Sequence, residues 1–400
     1  MSKTKKIIPE LRFPEFENEG EWEIKTLSGI CDITNGKANA QDHVDNGRYP
    51  LFDRSEVIKA SDEFIFDCEA VIIPGEGMRF IPKYYEGKFN LHQRAYALKD
   101  FSCSGQFVYY SMLHRSTLLS QKAVQSTVLS LRLPILQDFP IEIPKKPEEQ
   151  QKIASCLSSL DELIAAHNDK LDALKDHKKG LLQNLFPQEG ETVPKVRFPE
   201  FEEDGEWELK PFSKFIKLYR GSSPRPIREY LTKEETGVNW IKIGDTSSIT
   251  DFVIRSVSEK ITPKGAEKSR RVKKGELILA NSMSYGSTYL LEVEGCIYDG
   301  WFVLREYEEH FDKQFLLQLL NSEYTQGQYK RFAAGGIVQN ISSEIVYSIT
   351  LSKTSKEEQQ KIASCLSAVD ELITAQQDKI EQLQQHKKGL MQGLFPKIND

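Results

Sequence analysis

The side chains in this sequence best suited to acting on another molecule are cations and amides. Lys260, Lys264, Lys268, Arg270, Arg271, Lys273 and Lys274 crowd one stretch. Such a density suits contact with phosphate anions, and a solvated surface run has the same composition. Upstream, RGSSPRPIRE brings Arg220, Ser222, Ser223, Arg225 and Arg228 together in a turn-rich segment. Catalytic patterns are missing: there is no GxxxxGK[ST] phosphate loop, strand-linked GxGxxG, HExxH helix or GxSxG elbow. The Asn/Asp-Pro-Pro-aromatic signature of amino-methyltransferases is missing too. The nearest approximations, Gly75-Glu76-Gly77 and Asp67 with Glu69, read as an ordinary turn and solvated acids. The cysteines (Cys31, Cys68, Cys103, Cys156, Cys296 and Cys365) form no CxxC pair and show no zinc-ligand spacing with histidine, so they read as buried thiols. The chain is expected to be no enzyme and to hold no metal or cofactor of its own.

The elements that position these residues are duplicated. LRFPEFENEGEWEIK at 11–25 returns as VRFPEFEEDGEWELK at 196–210. EEQQKIASCLSSLDELI from Glu148 returns as EEQQKIASCLSAVDELI from Glu357, and HKKGLLQNLFP from His177 as HKKGLMQGLFP from His386. Such self-similarity marks an internal repeat. The order is RFPEF motif, divergent segment, long helix, then all three again. The offset grows from about 185 to about 209 residues, which places the extra length of the second divergent segment near 219–261. AVIIP at Ala70 and ELILA at Glu276 read as short buried strands, and QFVYYSML at Gln106 and QFLLQLL at Gln314 as helices. At the later offset, GEGMR at 75–79 corresponds to MSYGS at 283–287.

In the repeated helices Ile153, Leu157, Leu160, Ile164, His167, Leu171, Leu174, Lys178, Leu181 and Leu185 follow the alternating four-three spacing of a coiled-coil seam. The copy reads Ile362, Leu366, Val369, Ile373, Gln376, Ile380, Leu383, Lys387, Leu390 and Leu394, with polar breaks at equivalent places. The alternative is an amphipathic helix packed on its own domain. Pro187 and Pro396 end both runs. Self-complementary halves favour pseudo-two-fold symmetry, which makes the helices antiparallel. The junction LFPQEGETVPKVRFPEF resembles what joining the C-terminal LFPKIND to the N-terminal segment would create, so the termini are expected to lie close together.

At 400 residues and 39% hydrophobic content the chain can build two cores, since single domains run to about 100–200 residues. The net charge of -6 argues against a nucleic-acid partner for the chain as a whole, but it averages over parts. The second divergent segment is mildly basic and the first near neutral. No run approaches the roughly 18–20 apolar residues of a membrane span, and MSKTKKIIPE lacks a signal-peptide core. A cytoplasmic protein without membrane contact is expected.

Over nearly its whole length the sequence resembles the specificity subunits of type I restriction-modification systems. The features that carry the resemblance are the paired FPEF...GEWE motifs, the P...EEQQKIA helix starts and the HKKGL-Q-LFP helix ends. It implies an α+β fold, with two mixed α/β target-recognition domains separated by two long helices in an antiparallel coiled coil. The boundaries become 1–147 for the first recognition domain, 148–187 for the first helix, 188–356 for the second domain with a linker at 188–195, and 357–396 for the second helix. Each domain would read one half of a bipartite, asymmetric site in double-stranded DNA. The helices would set the spacing and dock modification methyltransferase subunits, two of them, with restriction motor-nuclease subunits joining. S-adenosylmethionine, ATP and Mg2+ would belong to those partners. The competing reading is a coiled-coil scaffold that joins proteins without binding DNA.

Read for DNA contact, the first domain offers Lys37, Arg48, Arg54, Arg79, Asn90, Gln93 and Arg94, with His92 among them. The second offers Arg220, Ser222, Ser223, Arg225, Arg228, Lys268, Arg270, Arg271, Ser284 and Tyr285, with Tyr298, Asp299 and Trp301 nearby. Loops that differ between halves are the better candidates. Trp22 and Trp207, equal in both, read as packing anchors. Ile153, Leu157, Ile164, Leu171, Leu174, Leu181, Ile362, Leu366, Ile373, Ile380, Leu383 and Leu390 are the seam residues expected to pack.

Overall fold

Short apolar runs form the inner strands of the sheets. In AVII at 70–73 every residue is buried. Val71 and Ile73 face Phe107 and Val108, while Ala70 and Ile72 face Phe52 and Phe89, as the two-residue strand period requires. The computed structural model describes residues 7–125, 128–247, 249–282, 286–334 and 341–397. In it this run is the middle of strand Phe66–Pro74. That strand lies inside a six-stranded sheet ordered Asp32–Asn35, Ala95–Lys99, Phe66–Pro74, Lys83–Leu91, Tyr49–Phe52, Lys59–Ser61. Only Tyr49–Phe52 beside Lys83–Leu91 is parallel. Helix Gly105–His114 begins at Ser104, whose side chain accepts the Phe107 N–H, and its Phe107 and Val108 cover one sheet face.

LILA at 277–280 repeats the pattern. Leu277 and Leu279 face Phe315 and Leu316, which belong to helix Lys313–Asn321, capped by Asp312. Ile278 and Ala280 face Ile241 and Trp301. The expected strands and helices are therefore present in both halves. The second half has two five-stranded sheets. One runs Lys217–Arg220, Trp301–Arg305, Leu277–Ala280, Thr288–Leu291, Val253–Ile254, and the other Leu231–Thr232, Glu259–Ile261, Val238–Ile241, Gly295–Ile297, Arg270–Val272. The additional elements include helix Pro263–Glu267 and strand Arg270–Val272, so the extra length extends beyond the expected limit at Ile261.

The long helices span Pro147–Asn184 and Lys356–Leu394, each about 57–58 Å at 1.5 Å per residue. Two compact units divide the chain, Met1–Asn168 with Asp378–Asp400, and Asp169–Gln377. Each contains the start of one long helix and the end of the other. In the first unit Ile153 and Leu157 share a core with Leu390, Met391 and Leu394. In the second, Leu181 and Leu185 share one with Ile362 and Leu366. Start meets end in both, so the pairing is antiparallel. Leu171, Ile380 and Leu383 are also buried, whereas Ile164, Leu174 and Ile373 are half-buried. The two lysines among the polar breaks in the seam are paired across it. Lys178 lies 2.7 Å from Asp370 in the second unit, and Lys387 contacts Asp161 in the first. The segment before the first RFPEF motif meets the end of the second long helix, since the Leu11 N–H donates to the Gly393 carbonyl at 2.8 Å, as Val196 does to Asn184 at 3.0 Å.

The repeated motifs are explained by a buried clamp at each helix start. Arg12 of the first RFPEF motif forks onto Glu149, with both N–H···O distances 2.7 Å, and its third nitrogen donates to the Gly20 carbonyl. Arg197 does the same to Glu358 and Gly205. All four charged side chains are at least nine-tenths buried. The next residue along each helix continues the clamp: Gln150 accepts the Ser104 N–H, and Gln359 accepts the Asp312 N–H, which ties the short capped helix to the long one. The LFP ends plug the same places. Phe395 sits 6.3 Å from Trp22 and 5.5 Å from Phe107, and Phe186 sits against Trp207 and Phe315, so both tryptophans are packing anchors.

The thiols depart from expectation. All six are free, but only Cys31 and Cys296 are buried and the other four are half-covered. Cys156 and Cys365 sit beside the seam positions, where the helix flank meets solvent. No described helix is long and apolar enough to cross a membrane.

Breaking a buried ion pair from one side leaves the other charge uncompensated, at about 3–5 kcal/mol. Glu149→Ala is therefore expected to lower unfolding free energy by about that amount in chemical denaturation, whereas removing the exposed Glu23 partner of Lys25 should change it by under about 1 kcal/mol.

Candidate nucleic-acid interface

A glycine in each unit fixes the geometry of the candidate surface. A Cβ on Gly36 would lie 1.9 Å from the Leu91 carbonyl oxygen, and one on Gly221 would lie 1.9 Å from that of Tyr298. Only glycine permits so close a crossing. In both units the segment after the first sheet strand therefore passes over the end of an inner strand, carrying its side chains to the same corner of the fold.

In the first unit this crossing places exposed Lys37 and Asn39 alongside 92–94. The Gln93 N–H donates to the Ala38 carbonyl at 2.9 Å, and the Gln93 side-chain amide donates to Asn39 Oδ1 at 2.9 Å. Gln93, Arg94 and Arg54 line a cleft of about 350 Å³ together with Asn39, Lys59 and His92. Arg54 also lines a neighbouring cleft of about 530 Å³ with Arg79 and Lys83. Glu76 holds Arg94 at 2.9 Å and lies 4.0 Å from Arg54, which fixes both guanidinium groups while leaving them mostly exposed. Burial lowers the His92 pKa, opposed by Asp53 and reinforced by Arg94, Arg54 and Lys59, which favours the neutral imidazole.

Two candidates of the first unit do not belong to this surface. Asn90 is 5% exposed; its amide donates to Ser61 Oγ at 3.2 Å and its oxygen accepts the Leu91 N–H at 2.9 Å. It is a core polar residue and cannot offer those groups to a base edge. Arg48 is exposed but stacks over Tyr49 at 5.7 Å and lies 3.7 Å from Asp62, and it lines neither cleft.

In the second unit Asp299 organises the surface. Its carboxylate accepts the Ser223 hydroxyl at 2.7 Å and lies 4.0 Å from Arg225, and its backbone carbonyl accepts from Arg220 at 3.3 Å. The Ser223 hydrogen bond, opposed by partial burial and helped by Arg225 and Arg220, holds the carboxyl below the usual aspartate range. Ser222 donates to the Lys268 carbonyl, Arg270 to the Arg220 carbonyl, and Lys268 to the Tyr230 hydroxyl. Arg220, Ser223, Arg225 and Arg270 are thus joined through Asp299 and the Arg220 backbone, with the Ser222–Lys268 pair beside them. Arg228 is exposed on the short turn Ile227–Glu229, next to a cleft of about 460 Å³ whose walls include Arg225, Ile227, Trp240 and Asp299. Arg271 is exposed on strand Arg270–Val272. The basic stretch from Lys260 to Lys274 is divided among a strand, a helix and a second strand, so it does not present one face.

Ser284 and Tyr285 lie outside the described residues. The register around them differs from the sequence correspondence. The Gly75 N–H donates to the Arg94 carbonyl, and the Asn281 N–H donates to that of Gly300. Asn281, two residues before Met283, therefore occupies the place of Gly75. Trp301 is fully buried and belongs to the core. Asn39, Lys59 and Lys83 were missed in the sequence because the segments around them have no recognisable copy, although the recurrence of Gly36 at Gly221 marks where to look.

Comparison with known proteins agrees with this duplicated plan. The sequence model described as the type I restriction modification DNA specificity domain matches twice, over residues 19–176 and 205–385. The chain belongs to the family of type I restriction-modification specificity subunits. Its relatives include the type I restriction enzyme MjaVIII specificity subunit of Methanocaldococcus jannaschii, 25% identical over 95% of this chain and 92% of that one. The EcoDI specificity subunit of Escherichia coli is 26% identical over 44% of this chain and 40% of its own. Among solved structures, the type I S subunit from M. genitalium has the same fold, with a TM-score of 0.64 at 14% identity over 98% of this chain and 100% of that one. A chain from a study of assembly and conformational transition in the type I system gives 0.58 at 13% identity, covering 94% and 97%.

In this specificity subunit the repeats are frame, and the two corner surfaces are where the halves differ. The core role of Asn90 is open to test. Asn90→Ala removes the hydrogen bond to Ser61 Oγ and the side-chain acceptor of the Leu91 N–H, which should cost about 1–3 kcal/mol in urea denaturation, while Gln93→Ala, on the surface, should stay within about 0.5 kcal/mol.

Proposed function

We propose that this specificity subunit reads double-stranded DNA through its two corner surfaces, each contacting one half of a bipartite, asymmetric site, and catalyses nothing itself. One observation carries this reading: equivalent places in two copies of one fold hold different polar sets. The first has Lys37, Asn39, Arg54, Gln93 and Arg94; the second has Arg220, Ser222, Ser223, Arg225 and Asp299. Gln and Asn suit adenine edges, Arg suits guanine, and Asp accepts from the cytosine amino group, while the flanking lysines suit phosphates. Different sets in equivalent places read different half-sites.

The antiparallel helices supply the spacing. Half-sites one helical turn apart are separated by about 34–36 Å, within the reach of helices about 57 Å long. The same helices offer docking faces to two modification methyltransferase subunits, with restriction motor-nuclease subunits completing the assembly in the cytoplasm. S-adenosylmethionine, ATP and Mg2+ are used by those partners. The overall charge of -6 favours a second reading, a protein scaffold without DNA contact; against it stands the local clustering of exposed arginines in both units.

Phosphate contacts release counterions, so affinity falls linearly in log–log form with salt. The complex reconstituted with methyltransferase subunits should show this fall. Arg225→Ala should weaken binding about 5- to 150-fold if the residue reads a base, or lower the salt slope by about one if it meets a phosphate. A flat salt response would favour the scaffold.

A further inference from the structure

Beside the arginines of the first unit stands an apolar side chain with nothing covering it. Met78 is 78% exposed at the tip of the loop that follows strand Phe66–Pro74. The loop is built rather than loose. The Gly75 N–H donates to the Arg94 carbonyl, the Gly77 N–H to the Leu129 carbonyl, and the Leu131 N–H to the Gly75 carbonyl, while Phe80 is fully buried. Met78 is thus presented from an anchored backbone. It lines the 530 Å³ cleft with Ile81 and with the cations Arg54, Arg79 and Lys83, against which the cleft sets the one carboxylate of Glu56.

An apolar contact ringed by net positive charge fits a polyanion that carries an isolated apolar group. Arg54 connects this cleft to Gln93 and Arg94, whose donors match purine edges in the major groove. The feature of that groove which such groups do not read is the methyl on C5 of thymine. A thioether is unbranched and polarisable, and adapts to a small apolar partner. We propose that Met78 is a specificity-determining residue that packs on a pyrimidine 5-methyl group, that of a thymine, in the half-site read by the first unit. This inference rests on the DNA-reading function proposed above.

The test uses the full chain in complex with its methyltransferase subunits and duplexes carrying the modified site, with uracil replacing thymine one position at a time. At one position uracil should weaken binding about fourfold, the effect of losing one methyl-sized apolar contact. Met78→Ala should abolish that difference and Met78→Leu should keep it, with the salt slope unchanged in both. If no thymine–uracil difference depends on residue 78, the proposal is overturned. A gain on replacing cytosine with 5-methylcytosine, without any uracil effect, overturns the thymine assignment and transfers the contact to a methylated cytosine. Failure of the unmutated complex to bind DNA would instead refute the underlying reading.

Discussion

The bidentate contact between an arginine of the RFPEF motif and the second glutamate of the EEQQKIA motif is the constraint on which the remaining structure depends. It joins residues 137 apart in the first half and 161 apart in the second, and it does so inside the protein. A buried ion pair is a poor source of net stability, because the cost of desolvating both charges offsets their attraction. Its geometric value is greater, since two parallel N–H···O bonds admit one orientation. Glu149 also receives the Trp22 indole N–H at 3.2 Å, and Gln150 holds the N-terminus of the helix that covers the sheet. Helix start, RFPEF motif and sheet are thereby fixed to one another by adjacent residues. The second copy has drifted in detail: Glu358 takes the Thr354 hydroxyl, and the buried Trp207 Nε1 has no hydrogen-bond partner among the described residues.

The seam between the long helices follows the same logic. A purely apolar seam tolerates slippage, while a polar pair at a core position specifies register. Lys178 with Asp370 and Lys387 with Asp161 supply such a pair in each unit. Both are supported from the recognition side, because Asp161 accepts the Tyr110 hydroxyl at 2.7 Å and Asp370 accepts the Gln318 amide at 3.2 Å. Helix register and sheet-covering helix are thus coupled through one carboxylate in each half. The two lysines that break the apolar seam are working parts of the frame.

Much of the frame was legible in the sequence because it is local and duplicated. Identical motifs, heptad spacing, the AVII and LILA runs and the capped helices after them depend on neighbours a few residues away. The candidate surface was less legible because it depends on partners from distant strands. Asn90 and Gln93 are three residues apart and equally polar, yet Ser61 from another strand buries the first while the crossing at Gly36 exposes the second. Trp301 and Asp299 diverge in the same way. The register of the second half differs by two residues from the sequence correspondence, because Leu277 pairs with Leu290 and Leu304 as Val71 pairs with Tyr84 and Leu98, a difference invisible without backbone pairing. Arg48 reads as a DNA candidate by type and falls outside the surface by position. Composition misled in another respect, since a net charge of -6 conceals two clusters of exposed arginine.

The central claim is that a common frame carries two interchangeable readers. The most direct measurement is the mapping of modified bases in cells that contain the partner methyltransferase and a chimeric chain in which residues 212–349 are replaced by a copy of residues 27–139. This exchange leaves both clamps, both paired strands at 23–26 with 140–143 and 208–211 with 350–353, and both long helices in place. The account predicts that both halves of the modified site become the half-site of the first unit. Persistence of the original second half-site in the chimera would contradict it, because discrimination would then reside in the frame.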